Sequence, residues 1–365
     1  MTINSDPYLD YIHYNVYGTW DKVKAHPIMD FYAGFDNFNF DDVYFALNIW
    51  FLNEKKIPFD RFKKVIISFH TEYIDLDLLW NFFNKHSDCE FLFLSDFKHN
   101  NIWPSNVTTC RWISWGYQLE VAVEHHGIAV DLIEPKYKLS SLSNRHEFHK
   151  ACVTAYLLEK FDMPNIVLSW NNWCPKPPYY LSDDFFIPDD IKKYLDGKFK
   201  SVGSINLDDF HGDFPVANGN WQHAAYLDCA INLTNESVFN TYTQLNGKST
   251  FLPWPYLTEK TWKPLVSGRP FIPIGQANTF LSLSELGLVF NYGSLDLSFD
   301  SVLPELDRIV KIYKCLDQLN ELSTGDIFNM TKESALYNLE YIKSKKFKLQ
   351  CDMLNNQVLE SIGTW

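Results

Sequence analysis

The sequence has no run of about 18 consecutive apolar residues, the length that a membrane-spanning helix needs. Glycine and proline are sparse, at 15 and 17 of 365 residues, which excludes collagen-like and low-complexity chains. Residues 1–20 lack the basic and apolar stretches of a secretory signal, so we expect a cytoplasmic protein. The 7 cysteines stand singly, without the paired spacing of a zinc site or a disulfide framework, and we expect reduced thiols.

Basic residues are outnumbered, with 32 Lys and Arg against 45 Asp and Glu, and the net charge is −13. This charge opposes long-range attraction to nucleic acid or to an anionic membrane, although it does not exclude a local basic groove. Aromatic residues are abundant, at 17%, and such rings fill cores as readily as they stack on sugars or bases. A chain of this length exceeds one ordinary core and predicts two domains.

Alternating apolar runs and helical patterns along residues 1–135 predict a first α/β domain. VIISFH at 65–70 and EFLFLSD at 90–96 have the composition of buried strands, and LDLLWNFFNK between them has helical spacing. Further strands are predicted in TTCRWISW at 108–115 and in HGIAVDLIEP at 126–135.

Residues 136–330 predict a second α/β domain. A helix is expected in SSLSNRHEFHKACVTAYLLEKFDMP, followed by a strand in NIVLSW, and the stretch 171–225 is expected to be irregular with short helices. DCAINLTNES, RPFIPIG and GLVFN have strand patterns, and TEKTWKPLVSG has a helical one. Two such domains would leave a cleft at the carboxyl ends of their strands, the usual ligand position.

The segment 331–365 is predicted to be a terminal helical segment that ties the two domains together. Leu336, Leu339 and Ile342 are spaced to form one apolar stripe along it.

The sharpest local pattern is PYLTEKTWKPLVSGRPFIPIG at 255–275. Thr258 can cap a helix whose start carries Glu259 and Lys260, and free N–H groups there attract anions. A phosphate would suit this cation, and a sugar or ribose hydroxyl would suit the carboxylate. The alternative is an ordinary capped helix with an exposed Glu-Lys pair, interrupted by Pro264.

TEKTWKP followed by SGRPFIPIG resembles the donor-binding signature of fucosyltransferase-like GT-B glycosyltransferases, especially their phage and viral branch. Residues 138–158 resemble the start of that family's C-terminal domain, where Ser-Asn-Arg precedes a basic helix. INLTNES at 231–237 resembles the strand that ends in an acidic residue before TEK. Together these pieces cover about 140 residues in the expected order, and they imply two Rossmann-like domains facing an interdomain cleft.

The resemblance implies that Arg145, Lys260 and Lys150 meet the diphosphate of a nucleotide-sugar donor, and that Glu236 and Glu259 hold sugar or ribose hydroxyls. The other implied donor-site residues lie in the matched pieces: Ser143, Asn144, Tyr256 and Thr258. Fixed cations and helix N–H groups can stabilise the leaving phosphate, so no metal ion and no further cofactor is expected.

His149 also stands at a position that is often basic in the family, and the alternative for it is a solvated helical histidine.

The N-terminal domain is expected to supply the acceptor site and the catalytic base. Glu72 follows VIISFH, so we expect it to project from a strand's carboxyl end, where partial burial would raise its pKa. Asp75, His70 and Asp96 are competing candidates, and a loop-capping role is the alternative for each. Asp75 and Asp77 formally make the metal-binding DxD of another glycosyltransferase fold, but this pair opens an apolar helix, where Asp commonly caps.

The resemblance therefore implies an inverting, metal-independent glycosyltransferase, active in the host cytoplasm if phage-encoded. Its acceptor is a glycan, lipid-linked sugar or protein, or a hydroxymethylated base in phage DNA, which would have to be flipped. EKKIPFDRFKK at 54–64 and KSKKFK at 343–348 are candidate DNA contacts, with solvated charged faces as the alternative. A non-catalytic carbohydrate-binding protein is the rival function, for which the aromatic content would suffice. Walker, GxGxxG and GxSxG motifs are absent.

Overall fold

The computed structural model describes the following residues: 43–47, 59, 62–68, 76–95, 103–111, 134–171, 186–206, 224–245, 248–251, 255–347 and 349–350. The strands are β1 Val43–Leu47, β2 Lys64–Ser68, β3 Glu90–Ser95, β4 Val107–Arg111, β5 Tyr137–Ser143, β6 Ile166–Trp170, β7 Cys229–Asn235, β8 Tyr242–Leu245, β9 Lys248–Phe251 and β10 Phe271–Ile274. The α-helices are α1 Leu76–Lys85, α2 Phe148–Lys160, α3 Asp189–Leu195, α4 Ala224–Leu227, α5 Glu259–Val266, α6 Thr279–Glu285, α7 Glu305–Glu321 and α8 Thr324–Lys343. Single 3₁₀ turns lie at Met163–Asn165, Lys198–Ser201 and Ser298–Ser301.

The protein is mixed α/β, with two separate four-stranded sheets that are parallel throughout. The first sheet has the order β1-β2-β3-β4, and the second has the order β10-β7-β5-β6. The described segments group into two compact units, one around each sheet, and the antiparallel hairpin β8–β9 groups with the first. The predicted α/β class is confirmed. The predicted domain limits stay predictions, because residues 112–133 and 351–365 lie outside the described part.

In the first unit, β2, α1 and β3 lie where the sequence patterns predict them, whereas β1 and the hairpin β8–β9 were not predicted. Helix α1 places Leu79, Phe82 and Phe83 on one face, at the i, i+3 and i+4 spacing of an amphipathic helix. These side chains pack with Phe91 and Phe93 of β3, so the four phenylalanines of this cluster are core filler. The predicted strand at 126–135 falls almost wholly outside the described residues.

The second unit contains a central strand that the sequence patterns did not predict. β5 is rich in serine, and its segment was assigned to the start of a helix that in fact begins at Phe148. Its three serines are buried, and two of them bond to the neighbouring strand: Ser140 Oγ donates to Asn232 Oδ1 at 2.5 Å, and Asn235 Nδ2 donates to Ser141 Oγ at 2.9 Å. Side-chain hydrogen bonds thus replace the apolar run that marks an ordinary buried strand.

Two other expectations for the second unit are wrong. GLVFN is not a strand, because side chains of α8 take up its backbone groups: Asn338 bonds to both N and O of Val289, and Ser334 does the same at Asn291. Helix α8 begins at Thr324, where Ser323 and Asp326 form a capping box, and not at residue 331. Leu336 is 37% exposed and lies off the buried stripe.

Candidate functional site

The carboxyl edge of the second sheet gathers the polar residues that the sequence singled out. Ser143 ends β5, Glu236 directly follows β7, and Gly275 directly follows β10. Since the carboxyl ends of parallel strands meet at one edge of a sheet, three distant segments of the chain become neighbours there. This edge is the candidate site.

Glu236 is buried, with 1% of its surface exposed, and its carboxylate binds the segment that leads into α5. Oε2 accepts from Thr258 Oγ1 at 2.6 Å, and Oε1 accepts from Thr261 Oγ1 at 2.5 Å and from Thr258 N at 3.3 Å. The family resemblance implied that this carboxylate binds sugar or ribose hydroxyls. In the structure it accepts hydrogen bonds from two threonines of the chain itself.

Thr258 caps α5 as predicted, and its hydroxyl accepts from Lys260 N at 3.3 Å. Pro264 lies inside the helix without breaking it. Lys260 turns back across the cap, where its Nζ lies 3.3 Å from Thr258 Oγ1 and 3.3 Å from Ser237 Oγ. Glu259 is the first residue of α5 and stays a predicted contact. A half-buried ammonium therefore stands beside the helix N-terminus, the arrangement expected for an anion site.

Lys150 brings a second ammonium to the same edge from the first turn of α2. It is 2% exposed and forms a 2.8 Å ion pair with Glu147. Burial lowers the pKa of Lys150 and the nearby Lys260 lowers it further, whereas Glu147 and Glu236 oppose the shift. The two ammonium groups and the two carboxylates thus form one electrostatic cluster.

His149 is buried, so the alternative of a solvated helical histidine is wrong. Its Nε2 lies 2.8 Å from the main-chain O of Glu236, and its ring stacks on Phe239 with centroids 4.8 Å apart. Burial, with help from the charges of Lys150 and Arg308, holds the pKa of His149 well below its ordinary value. The imidazole is therefore neutral near pH 7, and its Nε2 carries the proton because a carbonyl oxygen only accepts.

The Ser-Asn-Arg segment lies at the end of β5. Asn144 and Arg145 are exposed, as a role in binding requires, whereas Ser143 is buried. Among the described residues, Ser143 Oγ and Asn235 Oδ1 are buried polar atoms without a hydrogen-bond partner. The amide of Tyr256 donates to Gln276 Oε1 at 2.7 Å, which ties the segment before α5 to the loop after β10.

The structure does not describe most of the candidate residues of the first unit. Glu72, Asp75, Asp96 and His70 lie outside the described residues, so their roles stay predictions. Asp77 lies in the first turn of α1, in accordance with its expected helix-start role.

Other features of the described part are plain. Cys89, Cys110, Cys152, Cys229 and Cys315 are free thiols. No group of three or more His, Cys, Asp or Glu side chains there could hold a metal ion. None of its helices is long and apolar enough to span a membrane.

Sequence reasoning missed Thr261, Ser237 and Asn235 as members of this edge. No local pattern marks them, because each acquires its role through a partner from another segment. The spacing of two threonines, three residues apart across a helix start, is the one signal that could have raised Thr261, since both then face the same side.

Comparisons of the chain with protein-family models, with curated proteins and with solved structures find no match.

Proposed function

We propose that the protein is a nucleotide-sugar-dependent glycosyltransferase of the GT-B type, with the donor held at the carboxyl edge of the second sheet. One observation carries the proposal: Lys260 at the capped start of α5 shares this edge with the exposed Arg145 and the buried Lys150. Cations from two separate segments at one parallel-sheet edge suit a ligand with several phosphate charges.

The chemistry of sugar transfer follows from this placement. Negative charge develops on the leaving nucleoside diphosphate, and fixed cations aimed at it lower the barrier. In this proposal Arg145 and Lys260 contact the diphosphate directly. Lys150 adds its positive charge without touching the diphosphate, since its ammonium is buried against Glu147. Asn144 and Glu259 are proposed to bind sugar or ribose hydroxyls.

The acceptor half of the reaction is proposed for the first unit. Glu72 is the proposed general base, with Asp75 and Asp96 as rivals, and it would take the proton of the acceptor hydroxyl opposite the departing diphosphate. The acceptor is a glycan, a lipid-linked sugar or a protein, or a hydroxymethylated base in phage DNA. Transfer would invert the anomeric centre and take place in the cytoplasm.

Calorimetric titration with ADP, GDP, UDP, CDP and dTDP tests the donor site. One of them should bind, and Lys260→Met and Arg145→Met should each weaken it by about 10-fold or more, because each removes a charged contact of about 1.5–3 kcal/mol. Lys193→Met is the matched control, since it removes an exposed ammonium paired with Asp190 on α3.

Binding of free sugars without any nucleoside diphosphate would favour a carbohydrate-binding protein instead. The proposal also expects EDTA to leave transfer unchanged. Loss of transfer with EDTA and its rescue by Mn²⁺ would return Asp75 and Asp77 to consideration as metal ligands and defeat the GT-B assignment.

A further inference from the structure

The hydroxyl of Thr258 connects Glu236 to Lys260, and its hydrogen bonds leave it no freedom. Oγ1 lies 2.6 Å from Glu236 Oε2 and 3.3 Å from both N and Nζ of Lys260. An ionised carboxylate only accepts, whereas an amide N–H and an ammonium only donate. Thr258 must therefore donate its one proton to Glu236 and present both lone pairs to Lys260. The acceptor oxygen of Glu236 and the two donors of Lys260 together set the direction of this hydroxyl.

Glu236 is itself held tightly. Thr261 Oγ1 donates to Oε1, and a Cβ added at Gly275 would lie only 3.1 Å from the Glu236 Cβ. The end of β10 thus packs directly against this side chain, and any larger residue at position 275 would have to displace Glu236 by a few tenths of an ångström. The carboxylate has three bonds within the chain and almost no exposed surface, which is unlike a group that awaits a sugar hydroxyl.

His149 fixes the backbone on which Glu236 stands. Its Nε2–H donates to the main-chain O of Glu236, and its ring is stacked on Phe239, three residues further along. The turn between these two contacts carries Ser237, whose Oγ is the other oxygen within 3.3 Å of Lys260 Nζ. Thr258 Oγ1 and Ser237 Oγ, two oxygens that lie beside the ammonium, therefore both depend on the position of Glu236.

We propose that Glu236 and His149 are positioning residues for the Lys260 ammonium: Glu236 orients the Thr258 hydroxyl, and His149 anchors the turn that carries Glu236 and Ser237. This inference rests on the proposed function only for the identity of the anion that Lys260 meets. It replaces the predicted sugar contact of Glu236 with an indirect role.

The first test uses the full chain without nucleotide. Trace acetic anhydride labels amines, and mass spectrometry gives the labelling rate of Lys260 relative to that of Lys193. Glu236→Gln and Thr258→Val should each raise this ratio by about threefold or more, the factor for losing one weak hydrogen bond. Thr331→Val is the control, because it also removes a buried threonine hydroxyl, one that donates to Ile327 O within α8. An unchanged ratio in both site variants overturns the proposal.

The second test measures the affinity of the nucleoside diphosphate that binds the wild type best. Glu236→Gln should weaken it by about 5- to 30-fold, the factor for one or two kcal/mol of charged hydrogen bonding. The same change in a Lys260→Met background should cost nothing more, since a positioning residue acts through the group it places. An equal loss in both backgrounds, or a loss seen only with the nucleotide sugar, would show a direct contact and refute the inference.

His149 is tested by rescue. His149→Gln keeps an N–H donor near the position of Nε2 and should retain more affinity and slower Lys260 labelling than His149→Leu, which keeps only the bulk. Equal behaviour of the two variants contradicts the role given to His149. If the wild type binds no nucleoside diphosphate, the proposed function fails, and the labelling ratios alone decide the positioning roles.

Discussion

Arg308 of α7 is a buried cation with four hydrogen-bond acceptors around its guanidinium, and its replacement should be costly. It is 1% exposed. Its guanidinium donates to Val302 O at 2.7 Å, to Leu303 O at 3.0 Å, to Thr241 Oγ1 at 3.0 Å and to the main-chain O of Phe239. It also lies 4.3 Å from the centre of the Phe239 ring.

The magnitude follows from what Arg308→Met would leave behind. Four acceptors lose a charged donor, and each buried acceptor without a partner costs about 1–3 kcal/mol. This loss is partly offset because burial of the charged guanidinium is itself unfavourable, and burial lowers the pKa of Arg308 to about 10. We expect a net loss of about 3–5 kcal/mol in the free energy of unfolding of the second unit, as for other broken buried polar networks. Arg308→Lys keeps the charge without the planar fork and should lose about 1–3 kcal/mol.

Urea unfolding followed by circular dichroism gives these free energies, and hydrogen exchange locates the change. Protection should fall first at 237–241 and 300–304, the segments whose carbonyls and hydroxyl Arg308 binds. Because Phe239 also stacks on His149, the loss should reach the Lys260 cluster and weaken nucleoside-diphosphate binding in molecules that are still folded. Arg308→Met with stability within about 1 kcal/mol of the wild type would refute this account of the network.

Three further predictions concern other parts of the chain. Burial raises the pKa of Asp300 to about 6, so the stability that its protonated form contributes is lost as the pH rises through that value. The stability of Asp300→Asn relative to the wild type should therefore increase by about 2–3 kcal/mol between pH 4 and 7.5. A difference in urea unfolding that does not change with pH would contradict this. Asn106→Ala removes an amide that donates to three carbonyls between the last turn of α1 and the start of β3, and thermal unfolding of the first unit should show a loss of about 1–2 kcal/mol with nucleotide binding intact. Glu72→Gln should keep donor binding but reduce the transfer rate by about 10²- to 10⁴-fold, and normal transfer by this variant would reassign the base.

The strands with continuous apolar runs were predictable, and the reason is physical. β2, β3, β6 and β7 are covered on both faces, so each contains a run of at least three apolar residues. β5 is equally buried but uses serine, and a hydropathy pattern cannot distinguish a paired buried serine from an exposed one. The hairpin β8–β9 was missed although Asn246 and Gly247, a common hairpin dipeptide, stand between its strands.

The site divides in the same way between local and long-range features. The cap at Thr258 and the place of Lys260 beside it follow from a few consecutive residues, and both were predictable. The burial of His149 and the inward orientation of Glu236 depend on residues from three separate segments. The hydrophobic pattern of α2 does not indicate the burial of His149 either, because every residue from Phe148 to Leu158 is buried and the helix has no solvated side there.

The polar residue pairs that prevented the prediction of β5 also explain why the site forms where it does. A buried serine beside a buried asparagine is tolerated only when the two bond, so Ser140 with Asn232 and Ser141 with Asn235 fix the register of β5 against β7. A slip by one residue would break both bonds at a cost of about 1–3 kcal/mol for each group left unpaired. That register carries β5 and β7 to one common edge, with Ser143 and Asn235 as their last residues. Glu236 therefore reaches the start of α5 because four polar side chains, two on β5 and two on β7, fix the alignment of the strand that it follows.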